Sequence, residues 1–193
     1  MPYLIYFLLL IPLNMMLPVS WGEENSVVEN IQLVCLIAAA IMCYRYRNVE
    51  LKNWGGSQRA LCYAGILFFF LLTMREISWG RAFLLHPDGR TYQYSEMGLY
   101  GQLVHPLVCI LIVLLLVLLY KSQFWKIFRL IKFPVKSFLL LVLFILMSWI
   151  GEKGEISIFH GVLAEELSEL GVYLMMVCLV SNCLELLNKT VCK

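Results

Sequence analysis

Along this chain, long apolar stretches alternate with short polar ones. Lipid offers a backbone no hydrogen-bond partners, so a segment that crosses a membrane must pair its own amides, and a hydrocarbon core of about 30 Å asks for about 20 such residues in a helix. The pattern predicts helices over 2–19, 27–44, 60–79, 98–120, 133–151 and 161–187. The fourth carries an unbroken aliphatic run from Ile110 to Leu119. The fifth is apolar apart from two serines and Lys136, which lies close enough to its end to snorkel toward the headgroups. The expected fold is all-α, a polytopic transmembrane helical bundle of about six helices. No internal repeat, low-complexity tract or linker breaks it, so 1–193 reads as a single transmembrane domain.

Composition supports lipid as the solvent. The chain is 61% hydrophobic and 15% charged, where a soluble domain carries about a quarter charged residues. The stretch 2–19 has no Lys or Arg and only a poor small-residue cleavage site around Ser20, so a retained helix is expected rather than a cleaved signal peptide. The seven cysteines, Cys35, Cys43, Cys62, Cys109, Cys178, Cys183 and Cys192, form no C-x-x-C pair. They read as small apolar membrane residues, not as a disulfide framework or a zinc site.

Charge sets the expected orientation. Arg45, Arg47, Lys52, Arg59, Lys121, Lys126, Arg129, Lys132, Lys136, Lys189 and Lys193, eleven of the fifteen basic residues, fall on one side of the expected crossings. The positive-inside rule makes that side, and both termini, cytoplasmic. Glu23, Glu24, Glu29, Glu76, Asp88, Glu96, Glu152, Glu155, Glu165, Glu166 and Glu169 gather toward the other side, with His86, His105 and His160. Only Glu50 and Glu185 lie inside. The net charge of +2 therefore hides a polarised molecule and gives no case for nucleic-acid binding. The basic loops would instead meet anionic membrane lipid.

Polar residues near the outer helix ends are the candidate site. Counted from residue 60, the third helix reaches Arg75 and Glu76 before it has crossed the hydrocarbon. An ionised carboxylate inside costs about 2.5–3.5 kcal/mol and normally has a partner or a purpose. Trp79 and Arg81 follow, where an aromatic belt and headgroup contacts are ordinary. The fourth helix must contain Pro106 to be long enough, which frees the Gln102 carbonyl beside His105. Gln102 and His105 share a face, and an imidazole there can bind a proton, a metal or a substrate oxygen. On the last helix Glu166, Glu169 and Tyr173 form a stripe, with Glu165 close to Glu169. Carboxylates this close are relieved by a shared proton, a cation or an arginine, with Arg75 the expected partner. If the helix is shifted, they become a solvated first turn favoured by the helix dipole. Glu76, His105, Glu166 and Glu169 are expected to converge, and such donors suit Zn, Fe or Mn as well as a proton-sharing network; no particular cofactor is indicated.

The string Arg75-Glu76-Ile77-Ser78-Trp79-Gly80-Arg81 resembles an E-E-I-S-W-G-Q-R stretch of an uncharacterised family of bacterial polytopic membrane proteins. The resemblance is local and implies a bacterial inner-membrane location without an activity. It makes His105 and the group Glu165, Glu166 and Glu169 counterparts of a recurring histidine and late-helix acid. Arg75 stands where that family has glutamate, and Arg81 and Ala82 where it has Gln and Arg.

Other chemistries fit less well. CAAX-protease-like enzymes use E-E-x-x-x-R, but no arginine follows Glu165 and Glu166 at that spacing. Alkaline-ceramidase-like hydrolases need an H-x-x-x-H pair that the chain lacks. Ser78 or Ser95 with His105 follows no spacing motif of a serine hydrolase. Three readings remain: a transport- or binding-related protein with an outward polar pocket for protons, a cation or a small polar ligand; a membrane-embedded, metal-dependent or metal-free enzyme on a lipid or lipid-linked substrate; and a non-catalytic subunit joined to another membrane protein or to a second copy of itself. Too few helices, with no discontinuous pair, argue against an ordinary monomeric secondary transporter.

Overall fold

The computed structural model describes residues 2–22, 26–47, 55–84, 92–124, 135–153 and 161–191. Glu23, Glu24, Glu50, Lys52, His86, Asp88, Lys126, Arg129, Lys132, Glu155, His160, Cys192 and Lys193, named above, lie outside them. Among the described residues the chain is all-α, with long helices α1 (Pro2–Met16), α2 (Val27–Tyr46), α3 (Gly55–Glu76), α4 (Leu99–Lys121), α5 (Val135–Lys153) and α6 (Gly161–Val191). Five of the six are long and apolar enough to cross a membrane, and the protein is an integral membrane protein.

The boundaries differ from the sequence reading in three informative places. Helix α1 stops at Met16 because Pro18 cannot continue it, and a 3-10 turn, Val19–Gly22, follows. Its 15 residues span about 22 Å, short of a full hydrocarbon core. Helix α3 starts earlier than expected, at Gly55, and its 22 residues cover about 33 Å. Arg75 and Glu76 therefore end a full-length helix instead of falling short of one. Helix α6 begins at Gly161 as expected, with no acid in its first turn, and runs on to Val191, past the expected end at 187.

Contacts divide the chain into two units. The first comprises Met1–Cys35 and Phe133–Asn182. Here α1 packs on α5, and the rings of Tyr6 and Phe7 meet that of the fully buried Phe144 at 5.8 and 5.3 Å. Small residues let backbones approach α6: a Cβ on Gly151 would lie 2.7 Å from the Glu165 nitrogen, and one on Gly22 2.7 Å from the Leu163 Cα. Lipid tails supply no hydrophobic drive between helices, so close packing of this kind is what joins them. Gly171 of α6 receives the Phe144 ring.

The second unit comprises Leu36–Lys132 and Cys183–Lys193. Its core includes Leu36, Ala39, Cys43, Cys62, Ala64 and Phe69, and α3 packs against α4. Cys35, Cys43, Cys62, Cys109, Cys178 and Cys183 are free thiols. Helix α4 contains Pro106, as its length requires, and is preceded by Gly98 at φ 59° and ψ −132°, a conformation suited to glycine. At its far end Ser122 donates its hydroxyl to the Leu119 carbonyl at 2.7 Å, and Gln123 turns left-handed.

Candidate functional site

The first unit holds Glu165, Glu166, Glu169 and Tyr173 of α6, and the second holds Arg75, Glu76, Ser78, Trp79, Arg81, Gln102 and His105. Each group is described within its own unit.

In the first unit the expected stripe stands on continuous helix: Glu166 and Glu169 are half-buried, and Tyr173 is 1% exposed. Half-buried Glu165 lies beside them. What the sequence reading did not name is their partner from α2. Gln32, with no exposed surface, donates its amide nitrogen to the Glu166 main-chain oxygen and to Glu166 Oε2, both at 2.9 Å. A main-chain carbonyl can only accept, so the nitrogen side of the amide must face Glu166. Glu166 Oε2 is thereby an acceptor. The other end of the amide, Gln32 Oε1, is buried and accepts no hydrogen bond among the described residues. Tyr6 of α1 donates its hydroxyl to the next carbonyl, Leu167, at 2.9 Å. Buried Ser168 closes back on Ala164 at 2.7 Å. Three helices, α1, α2 and α6, thus converge polar groups on one stretch of α6.

The second unit gathers the E-I-S-W-G segment and the start of α4. Helix α3 ends with Arg75 and Glu76 paired at 3.6 Å, the glutamate side chain 7% exposed and the arginine 60%. Although successive helical side chains diverge by about 100°, both are long enough to meet around the helix end. The chain then turns left-handed over three residues, Ser78 at φ 47°, Trp79 at 55° and Gly80 at 83°. Only the last is a glycine, and the left-handed form costs an L-residue about 1–2 kcal/mol. Two tyrosines hold the turn. Tyr94 donates its hydroxyl to the Ser78 carbonyl at 2.9 Å, and Tyr100 donates to the Trp79 carbonyl. Backbone contact locks Tyr94 to α4, because a Cβ on Gly101 would sit 1.7 Å from the Tyr94 oxygen.

Around Tyr94 lie Arg81, its guanidinium carbon 5.1 Å from the ring centre, and His105, its ring 5.6 Å away edge-on. Arg81 Nε is buried without a hydrogen-bond partner among the described residues. Gln102 and His105 are exposed. Among the described residues His105 makes no hydrogen bond to Ser78 or Ser95; Tyr94 bonds the Ser78 carbonyl and packs against the imidazole. No group of three or more His, Cys, Asp or Glu side chains among the described residues is placed to hold a metal ion.

The residues missed by the sequence reading are Tyr6, Gln32, Tyr94 and, in its role, Tyr100. Gln32 had a signal, an amide one and a half turns into the helix at the head of the apolar run 33–43. The tyrosines had none, since their partners are main-chain carbonyls. Comparison with family models, with curated proteins and with solved structures finds no match to this chain.

Proposed function

We propose that this membrane protein binds protons, a cation or a small polar ligand at the carboxylates of α6, with Glu166 at the centre and Glu169 beside it. One observation carries the reading: the fully buried Gln32 directs its amide nitrogen at both the main chain and the carboxylate of Glu166, leaving its own carbonyl oxygen without a donor. A buried acceptor left unsatisfied costs about 1–3 kcal/mol, and a ligand that donates to it recovers that cost. A carboxylate held as an acceptor between apolar helices is a place where a proton or cation changes the charge balance at low dielectric. The distribution of basic residues supports an outward-facing site with both termini cytoplasmic.

The test uses purified protein in lipid nanodiscs. Infrared difference spectra across a pH step should show a protonated-carboxyl band lost in Glu166→Gln, or melting should rise with a cation in the wild type and not in that variant. Glu165, Glu169 and Tyr173 share the helix, Tyr6 approaches from α1, and Glu29 lies one turn before Gln32 outside the proposed site, so Glu29→Gln serves as the control. Identical pH and cation responses in wild type and Glu166→Gln end the proposal.

A further inference from the structure

We infer that the turn after α3 and the first two turns of α4 form a binding site for a phosphate group at the headgroup boundary, held by Arg81 with His105 beside it. The depth follows from helix length. At 22 and 23 residues, α3 and α4 each slightly exceed a hydrocarbon core of about 30 Å, so the end of one and the start of the other meet the headgroup layer. The Ser78–Phe83 turn lies there, where lipid phosphates are the abundant anions.

Arg81 differs from an arginine that merely snorkels. A snorkelling side chain extends its head into water or headgroups and owes the protein no defined position. Arg81 instead lies over the Tyr94 ring and buries its Nε where no described residue accepts from it. A guanidinium held over an aromatic face is partly oriented before any ligand arrives, and its fork matches two oxygens of a phosphate. Among the described residues no carboxylate neutralises it. His105 flanks the same ring from an exposed position on α4 and offers an N–H in either protonation state.

The support beneath these groups is unusually fixed. Left-handed backbone at Ser78 and Trp79 is kept by two tyrosine hydroxyls on consecutive carbonyls, and the contact of Gly101 with Tyr94 ties the assembly to α4. Strained backbone persists only where its surroundings over-determine it, and such places cluster at ligand clamps. Binding would use this pre-set geometry, with little side-chain ordering left to oppose it.

Native mass spectrometry of the full chain, with phosphatidylglycerol and the phosphate-free lipid diacylglycerol as probes, tests the site. The wild type should retain phosphatidylglycerol about tenfold better, the size expected of one charge-assisted contact, and Arg81→Gln should remove the preference. Arg81→Lys keeps the charge but loses the fork and should reduce it severalfold. Equal retention of both lipids by the wild type overturns the site, as does a folded Arg81→Gln with unchanged preference. A competition on the wild type alone is independent of variant folding. Displacement by short-chain phosphatidylglycerol but not by inorganic phosphate assigns a lipid headgroup; displacement by inorganic phosphate assigns the free anion; displacement by neither overturns the proposal.

Discussion

The two units hold their polar groups in opposite ways. In the first, regular helix is undisturbed and the tension lies in a side chain: Gln32 satisfies Glu166 and leaves its own Oε1 unsatisfied. In the second, the tension lies in the backbone, where Ser78 and Trp79 are left-handed and tyrosine hydroxyls restrain their carbonyls. A side-chain orphan can be relieved by a proton, a ligand or a rotamer change. A clasped turn gives a fixed platform instead. The first suits a site whose state changes, and the second a site that holds position.

The largest expected effect tests the rigidity of the platform. In Gly101→Val the new Cβ would meet the Tyr94 carbonyl oxygen at 1.7 Å, a backbone atom that cannot step aside. The loss should reach about 3 kcal/mol or more, by analogy with severe overpacking. In the first unit Gly171→Ala meets a side chain first, the Phe144 ring at 2.4 Å, so a smaller loss of about 1–2 kcal/mol is expected. Unfolding of the purified variants measures both, and equal losses would erase the contrast.

Next in size is the amide. Gln32→Leu strips Glu166 of two hydrogen bonds and should cost about 2 kcal/mol, since a polar group is left without its partner. Adding Glu166→Leu should recover part of that loss in a double-mutant cycle, with a coupling of about 1 kcal/mol. Additive losses would mean that the contact carries no energy of its own. The smallest change is Tyr94→Phe, which keeps the ring under Arg81 and removes the bond to Ser78. About 1 kcal/mol should go. A null result in the same unfolding assay would show that Tyr100 holds the turn alone.

Much of the fold was legible in the sequence because a membrane imposes one rule on every segment. The apolar stretches gave six helices, and length alone placed Pro106 inside α4. The misplaced ends have local causes. Residues 55–59 are polar enough to read as loop, yet α3 includes them; Ser78 reads as helix, yet the backbone reverses its hand there. The stripe of Glu166, Glu169 and Tyr173 was visible because helical spacing alone defines it. Gln32 was hidden to a reading led by charge, as an amide carries none. The clasp of Tyr94 and Tyr100 was out of reach for a different cause: it joins residues 16 and 21 positions apart through carbonyls, which every residue has.

The pairing of Gln32 with Glu166 also orders events in time. The partners are 134 residues apart, so α2 has left the ribosome and entered the membrane well before α6 exists. Until then the Gln32 amide must find some other partner or bear a cost of several kcal/mol for an unsatisfied polar group in hydrocarbon. That cost disappears when α6 arrives with both acceptors on one residue. A slip of α6 by one position would bring the side chain of Glu165 or Leu167 round by about 100° and break both bonds together. Gln32 is thus a register mark for the last helix, read once during biosynthesis and kept afterwards in the finished protein.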